Sequence, residues 1–325
     1  MSTKIEWAEE TWNPVTGCTK ISPGCTHCYA ERMARRLGGR YGYPEAPHHF
    51  DVTLRPERLE QPLRWRKPRT VFVCSMGDLF HEDVPDWFRL AIMARIEICP
   101  QHVFLILTKR PREMYDWYNR VTDRGWLPTQ EPDGRLFDNL WLLVTAENQA
   151  AADERIPLLL QTPAAVRGVS CEPLLGSLDL NLSSMSSDGY RMLSRWYGPD
   201  GFDKTGSQPE REQRKVDWLI VGGESGPGAR PMHPDWARDL RDQAQAAGAP
   251  FFFKQWGAWL PIAQSSATQR VDFDDERGQF HQWPDGTTSV RVGKKAAGRL
   301  LDGREWNEYP DVAAAGRRVA GAAGA

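Results

Sequence analysis

The 325-residue sequence has no long hydrophobic run and almost no net charge. No stretch reaches the roughly 18 apolar residues of a membrane-spanning helix, and the amino-terminal residues lack the apolar core of a secretory signal. Lysine and arginine total 41 against 43 aspartates and glutamates, so a formal net charge of −2 gives no overall attraction to nucleic acid or to an anionic membrane. We therefore expect a cytoplasmic protein with no membrane partner.

Cysteine is also scarce, with six residues in the chain. Because cytoplasmic thiols stay reduced, disulfides are not expected. Three of the six, Cys18, Cys25 and Cys28, lie within eleven residues as C-x6-C-x2-C, among polar residues, proline and glycine that are typical of a loop. Three thiols are one ligand short of a closed tetrahedral metal site. Cys99, at a predicted helix end, is interpreted as structural. Cys74 and Cys171 end predicted strands and are interpreted as small core residues, with a role as hydrogen donor or interior contact as the alternative.

Short apolar runs alternate with helical patterns along the chain. Each run is continuous, which is typical of strands buried on both faces of a parallel sheet. The predicted strands are 11–17, 70–76, 102–108, 140–146, 165–171, 217–223 and 250–256. We therefore predict an α/β fold, a complete or partial (β/α) barrel of the TIM type with six to seven parallel strands. An open doubly wound sheet is the alternative, since periodicity does not show whether a sheet closes.

Three further segments surround or interrupt this pattern. The barrel is predicted to span 1–257, with a polar insertion at about 178–216. A carboxyl-terminal extension, 258–311, is expected to pack on the barrel. The low-complexity end, 312–325, is expected to be disordered.

Charged and polar residues follow the predicted strands at the end where βα proteins gather their chemistry. They are Ser75, Asp78, His81, Lys109, Arg110, Glu147, Asn148, Cys171, Glu172, Glu224, Ser225, Arg230, Lys254, Gln255 and Trp256, and the pair Gly222 and Gly223 opens the loop after the sixth strand. Turns are polar in any protein, but that does not explain carboxylates and cations directly after buried runs. We predict that the set lines a site, with Glu172, Glu224 and Lys254 as catalytic residues. The glycine pair allows close approach to a ligand, although the loop has no Walker lysine and lacks the full dinucleotide-binding spacing.

Several occupants are open for the three-cysteine loop. Zinc needs a fourth ligand, for which the candidates are His27, His48, His49 and His81. A redox C-x-x-C pair leaves Cys18 without a role. An iron–sulfur cube on three thiolates keeps one iron open for another ligand. A helix over 26–37, capped by Thr26, would direct its amino end at such an anionic cluster.

The cysteine loop resembles that of the radical S-adenosylmethionine (SAM) superfamily, in which three cysteines follow the first strand of a βα barrel. Its usual spacing is C-x3-C-x2-C with an aromatic residue before the third cysteine; here the first gap is six residues and His27 takes the aromatic position. The wider chain is similar to a phage and prophage family of three-cysteine, radical-SAM-like proteins. The stretches that carry this are "TWNPVTGCTKISPGCTHCYAERMARR", "SMGDLFHEDVP", "ILTKRP", "VGGESGPGARPMHPDW", "PFFFKQWGAW" and "GKKAAGRLLDGREW".

The resemblance implies a [4Fe–4S] cluster on Cys18, Cys25 and Cys28, with SAM on the unique iron. A one-electron reductant such as a flavodoxin or ferredoxin would drive cleavage of SAM to a 5′-deoxyadenosyl radical. The substrate is unknown; a phage context suggests a nucleic-acid base or a nucleotide. Asp78 replaces the superfamily's glutamate contact to the SAM amino group. The predicted cofactor-binding set is His27, Ser75, Asp78, Lys109, Glu147, Gly222 and Gly223.

Two other functions remain open from the residues. A basic stretch over 55–69 and the arginines Arg32, Arg35 and Arg36 suggest a zinc- or cluster-stabilised nucleic-acid-binding protein. The strand-end carboxylates suggest instead a metal-dependent hydrolase or lyase. The overall acidic balance weakens the first of these.

Overall fold

The computed structural model describes residues 5–129, 134–180, 182, 215–265 and 279–311. The strands are β1 (Glu10–Trp12), β2 (Val15–Thr16), β3 (Thr53–Leu54), β4 (Thr70–Val73), β5 (Val103–Thr108), β6 (Leu140–Thr145), β7 (Val166–Cys171), β8 (Trp218–Gly222), β9 (Phe251–Gln255), β10 (Trp259–Pro261), β11 (Phe280–Gln282) and β12 (Thr288–Arg291). The α-helices are α1 (Tyr29–Leu37), α2 (Asp86–Glu97), α3 (Pro111–Asp123), α4 (Gln149–Gln161), α5 (Pro234–Ala246) and α6 (Lys294–Ala297). Short 3₁₀ turns lie at Pro23–Cys25, Pro56–Arg58, Pro62–Arg64 and Ile262–Gln264.

Seven parallel strands form the main sheet, in the order β1-β4-β5-β6-β7-β8-β9. Helices follow most of these strands, which confirms the predicted α/β partial barrel with six to seven strands. Within the described residues β1 and β9 each have one neighbour in this sheet, so the strands do not close into a complete barrel. Most of the predicted insertion, and the whole predicted tail 312–325, lie outside the described residues.

The chain divides into two compact units. The first contains the described residues of Met1–Val144 and Leu158–Gly168, and the second those of Thr145–Pro157 and Val169–Pro310. The domain boundaries read from the sequence stay a prediction. None of the helices in the described part of the chain has the length and apolar character that crossing a membrane requires.

In the first unit, continuous apolar runs produce a sheet core. Trp12 on β1 and Phe104 on β5 are fully buried, and their rings meet edge to face at 5.8 Å. Burying a large apolar side chain of this kind contributes about 1.5–3 kcal/mol. β4 is shorter than predicted because Cys74 has a φ of +58°, which turns the chain out of the strand at Val73. The Cys74 amide donates to the Trp12 carbonyl at 2.7 Å.

Helix α1 begins at Tyr29, three residues later than predicted. The 3₁₀ turn before it uses Thr26, whose hydroxyl donates to the Pro23 carbonyl at 2.9 Å. The predicted Thr26 cap is therefore wrong. Cys28 is the N-cap residue and supplies no side-chain cap. The helix packs through Ala30 and Ala34, whose small side chains admit Tyr43 and Met76.

In the second unit, β8 and β9 pair in parallel, with Leu219 opposite Phe251. The pairing shifts by one residue between Val221 and Gly222. Beyond β9, strands β10, β12 and β11 form a small antiparallel sheet. The following residues bond to β9, where the Phe253 amide donates to the Trp306 carbonyl at 2.9 Å.

Candidate functional site

The cysteine loop, residues 17–28, is held against the segment that follows β4. Gly17 and Gly77 form an isolated parallel bridge. A Cβ on Gly77 would lie 2.8 Å from the Gly17 carbonyl oxygen, and one on Gly17 would overlap the Asp51 carbonyl. Only glycine permits this approach. The contact sets Cys18 beside Asp78, although 60 residues separate them in the sequence.

Arg110 is the residue that joins this region together. Its side chain is 3% exposed, and Nη1 lies 3.3 Å from the Sγ of Cys18. Nη2 donates to the Thr19 hydroxyl at 2.6 Å, and Nε donates to a Glu82 carboxylate oxygen at 3.2 Å. Nη1 is also 3.6 Å from an oxygen of Asp78. The guanidinium therefore contacts a thiol, a hydroxyl and two carboxylates at once. We call Cys18, Cys25, Cys28, Asp78 and Arg110 the cysteine edge.

Asp78 is buried behind the cysteine loop. Its carboxylate accepts hydrogen bonds from the Thr108 hydroxyl at 2.8 and 2.9 Å, from the Phe80 amide at 3.0 Å and from the Lys109 amide at 3.2 Å. The structure thus places the carboxylate in the region expected from the sequence and holds it in one orientation. Its role as a contact for SAM stays a prediction.

His81 connects the same network to a further loop. The imidazole Nδ1 accepts from the Asp83 amide at 3.1 Å, so Nε2 carries the proton and donates to the Thr19 hydroxyl at 2.9 Å. Burial, reinforced by the charge of Arg110, lowers the pKa of His81, which keeps the ring neutral near pH 7. With both nitrogens engaged, His81 is not available as a zinc ligand.

The other predicted ligands and contacts of this region have different surroundings. His48 lies 2.7 Å from Asp51, and the Ser75 hydroxyl donates to the Asn13 side chain at 3.2 Å. Both ring nitrogens of His49 are buried and have no hydrogen-bond partner within the described residues. His27 is half-buried at the turn before α1.

All six cysteines are free, and they fall into two classes. Cys18, Cys25 and Cys28 are half-buried; the fully buried ones are Cys74, Cys99 and Cys171. Burial, with the charge of Asp78, raises the pKa of the Cys18 thiol to about 11, although Arg110 opposes the rise. Burial also raises the pKa of Cys25, but the charge of Lys109 and backbone hydrogen bonds outweigh it, so that pKa is lowered.

The separation of the three sulfur atoms tests what they can hold. Within the described residues, one group of histidine, cysteine or acidic side chains has three possible metal-ligand atoms within 4.8 Å of one another. This group is His233, Asp235 and Asp285. The three Sγ atoms of the cysteine edge are therefore spread more widely. Around one tetrahedral zinc ion with Zn–S bonds of 2.3 Å, two sulfurs would be about 3.8 Å apart. The arrangement is compatible with a group of several metal atoms, and a single ion would require the thiol side chains to move closer together.

The His233 group has a structural explanation. Nδ1 of His233 accepts from the Asp235 amide at 3.2 Å, which caps α5, and Nε2 lies 3.1 Å from Asp285. Both ring nitrogens are thus engaged within the protein. Asp235 and Asp285 are also more than half exposed, as acidic groups at protein surfaces commonly are.

The second unit carries its own polar region, the carboxylate edge, formed by Glu147, Glu172 and Glu224 with their partners. Glu147 is completely buried, and its carboxylate bonds Arg155 at 2.9 Å. The loop after Glu172 secures this region, because the Leu175 amide donates to the Glu147 carbonyl at 2.8 Å. The Glu224 carboxylate accepts two hydrogen bonds from the Arg230 guanidinium, at 2.6 and 2.9 Å.

Glu172 and Lys254, two of the predicted catalytic residues, form an ion pair at 2.8 Å. Gln255 donates to the other carboxylate oxygen at 3.2 Å. Gly222 packs beside the pair, where a Cβ would make ordinary van der Waals contact with both side chains at 3.4 Å. Gly223 has a packing reason instead, because a Cβ there would overlap the Trp256 carbonyl. Glu224, the third predicted catalytic residue, contacts Arg230 and not this pair.

The basic stretch 55–69 is divided, since Arg64, Arg66 and Lys67 are exposed while three of its arginines have partners within the protein. Arg55 is buried and donates to Thr16 and to the Gly42 carbonyl. Arg58 bonds a backbone carbonyl at 3.3 Å, and Arg69 pairs with Glu10 at 3.2 Å. Three of its arginines are therefore used within the protein, which weakens the nucleic-acid-binding interpretation.

Sequence reasoning missed two partners of these edges and ranked a third below its neighbour. Thr19 and Arg155 were not selected, and Lys109 was preferred to its neighbour Arg110. Arg155 occupies the same helix face as the buried Ile156 and Leu159, a signal that marks a paired arginine. No local pattern links Arg110 to Cys18, which is 92 residues away.

A family model described as "Protein of unknown function (DUF5131)" matches residues 2–310. The chain belongs to the DUF5131 family. A search of curated proteins finds no match. Among solved structures, the DUF5131 chain is similar to spore photoproduct lyase complexed with dinucleoside spore photoproduct, at 12% identity and a TM-score of 0.40. A cysteine-to-serine mutant of that lyase is similar at 12% sequence identity and a TM-score of 0.39. Each of the two matches covers 90% of this chain and 70% of the other. We take no reaction or substrate from a likeness of this degree. A phage origin stays a prediction.

Proposed function

We propose that this DUF5131 protein is an iron–sulfur enzyme of the radical SAM type. Cys18, Cys25 and Cys28 would hold a [4Fe–4S] cluster, and SAM would take the iron without a cysteine. The observation that carries the proposal is the set of three free, half-buried thiols on one loop, whose sulfur atoms do not all lie within 4.8 Å of one another. When bound, the cluster supplies single electrons for reductive cleavage of SAM.

The surroundings of the thiols support an anionic occupant. Arg110 directs an N–H group at Cys18, and the charge of Lys109 acts on Cys25. Helix α1 starts directly after Cys28, whose side chain does not cap its first amides. The amino end of a helix favours negative charge, so these groups together offset the charge of a thiolate-bound cluster.

The Glu172–Lys254 pair is the best candidate for a substrate contact in the second unit. Its side chains are 19% and 14% exposed, whereas Glu147 is fully buried and serves the fold. An adjacent carboxylate and ammonium suit a substrate that offers both donors and acceptors, such as a nucleobase or a nucleotide. A flavodoxin- or ferredoxin-type protein is proposed as the reductant.

A zinc site is the second candidate, because the buried nitrogens of His49 have no partner within the described residues. His49 also precedes Phe50, whose carbonyl accepts from the Cys18 amide at 3.1 Å. Three thiolates and one imidazole would complete a tetrahedral zinc site. The wide spread of the sulfur atoms argues against this assignment.

Anaerobic purification with measurement of iron, sulfide and zinc tests the proposal. We expect about four iron and four sulfide per chain, and 5′-deoxyadenosine after addition of SAM and dithionite. A colourless protein with one zinc, lost in a His49→Ala variant, would replace the cluster by a zinc site. A brown protein that forms no 5′-deoxyadenosine would keep the cluster and remove SAM from the proposal.

A further inference from the structure

Arg110 is held far more firmly than a surface arginine. Each of its three nitrogens has a partner: Glu82 at Nε, Cys18 at Nη1 and Thr19 at Nη2. Thr19 is itself fixed by His81 at 2.9 Å. A guanidinium with so many fixed contacts cannot reorient freely, so the N–H group directed at Cys18 keeps its direction.

The charge around Arg110 is balanced by its acidic neighbours. Asp78 lies 3.6 Å from Nη1, and Glu82 lies 3.2 Å from Nε. Asp78 is buried while Glu82 is exposed, so water screens Glu82 more strongly. The positive charge of Arg110 is thus largely compensated, and what distinguishes it from any other cation is the directed N–H···S contact with Cys18.

Hydrogen bonds to the sulfurs are among the factors that set the potential of an iron–sulfur cluster. Reduction adds one negative charge, part of which rests on the sulfur ligands, and a donor stabilises the charged form more in a buried, low-dielectric setting. An N–H···S bond therefore favours the reduced state and moves the potential upward. Its effect does not require that Arg110 touch SAM or substrate.

We propose that Arg110 is a positioning residue that raises the reduction potential of the cluster by donating a hydrogen bond to the Sγ of Cys18. This inference rests on the proposed function. Arginine is suited to the task because its planar fork serves Thr19 and Cys18 at once, whereas a lysine ammonium is a point charge without this fixed geometry. The step concerned is the transfer of one electron from the reductant, by which [4Fe–4S]2+ becomes [4Fe–4S]+.

Anaerobic redox titration of the reconstituted full-length protein with dithionite tests the inference, with the reduced cluster followed by electron paramagnetic resonance. The variants are Arg110→Lys, which keeps the charge, and Arg110→Gln, which removes it. We expect Arg110→Gln to lower the equilibrium constant for reduction at least tenfold, equal to about 59 mV for one electron. Arg110→Lys should shift it in the same direction by a smaller factor. Arg112→Gln is the matched control, since Arg112 lies two residues after Arg110 in the first turn of α3 with a side chain that is 62% exposed, and should leave the potential unchanged.

A third variant separates orientation from folding. Thr19→Val removes the hydroxyl that receives Nη2 at 2.6 Å and leaves Arg110 in place. We expect a lowered potential, with iron content and thermal unfolding close to those of the wild type. The inference would be overturned if the equilibrium constant for reduction stayed within threefold of the wild-type value in Arg110→Lys, Arg110→Gln and Thr19→Val. The proposed function would remain intact in that case. Loss of the cluster in Arg110→Lys alone would show a role in assembly and would overturn the inference too. A wild-type protein that binds no cluster would remove both.

Discussion

The two polar regions of the molecule use charge in opposite ways. At the carboxylate edge each glutamate has a cation of its own at 2.6–2.9 Å. At the cysteine edge Arg110 is shared by four groups, and one of them is a thiol. A donor directed at an uncharged thiol gains little until metal binding removes the proton from the sulfur. The first arrangement is complete within the protein, whereas the second gains its full strength when the thiols bind a metal.

The largest effect should come from the three thiols that differ most from the rest. Cys18→Ser, Cys25→Ser and Cys28→Ser should each lose most of the cluster iron, because two thiolates cannot hold a cluster that three hold in the wild type. Cys99→Ser is the matched control, since Cys99 is a buried residue just after α2, and should keep the iron. Iron and sulfide analysis of the anaerobic proteins measures the difference. Equal loss from Cys99→Ser would mean that the ligands are misassigned.

At the carboxylate edge the largest effect should fall on stability. Glu147→Gln leaves the buried Arg155 without its anion, and breaking a buried pair costs about 3–5 kcal/mol. The free energy of unfolding in urea measures this, with Glu154→Gln, an exposed position on the same helix, as control. Glu154→Gln should change it by less than about 0.5 kcal/mol. If the two variants unfold alike, the pair does not stabilise the fold.

A smaller effect on stability is expected from the Glu172–Lys254 pair than from the buried Glu147–Arg155 pair. The former pair is partly exposed, so Glu172→Gln should cost only about 0–1 kcal/mol of stability. If the carboxylate contacts substrate, product formation should fall about 10–100-fold, as expected for loss of a charged hydrogen bond. The cluster iron and the cleavage of SAM without substrate should be unaffected. If Glu172→Gln formed product at the wild-type rate, the pair would not contact the substrate and would serve only the structure.

The smallest expected effect is a pH dependence of the unfolding free energy, and it comes from Asp302. Hydrogen bonds from Arg238, together with those from Gln264 and Arg241, hold the pKa of Asp302 below its usual range. A lowered carboxyl pKa stabilises the fold above the pKa of the unfolded chain, near 3.9, and the benefit is lost as pH falls below it. Asp302→Asn should therefore unfold more easily than the wild type at pH 7.

The difference between wild type and Asp302→Asn should narrow steadily from about pH 5 to pH 3. Thermal unfolding across this range measures it. Asp242→Asn is the control, because Asp242 is 62% exposed and also pairs with Arg241, one of the partners of Asp302. A gap between wild type and Asp302→Asn that does not change with pH would show that the contribution of Asp302 is not ionic.

The fold was predictable because its signal is local. β5, β6 and β7 are continuous apolar runs, and each lies within one residue of its predicted range. The ends were less predictable. Cys74 ends β4 through a left-handed conformation that no pattern in the sequence indicates, and the 3₁₀ turn at Pro23–Cys25 delays α1.

The site was predictable only in part, because its pairings are distant in the chain. The strand-end rule selected Glu172 and Lys254, which the structure brings together across 82 residues. It also selected Glu224, which instead bonds Arg230 six residues away. The contact of Arg110 with Cys18 depends on how close two loops approach, which only the folded chain determines.

The bridge between Gly17 and Gly77 has a consequence for the unusual spacing of the cysteines. One end of the cysteine loop is pinned at this bridge, and the other end is continuous with α1. A chain segment between two fixed ends costs closure entropy that grows only with the logarithm of its length. For a flexible segment each doubling of length costs only about 0.6 kcal/mol. The longer gap between Cys18 and Cys25 is thermodynamically small beside the contacts that fix its ends, so loop length can vary while the thiols keep their places.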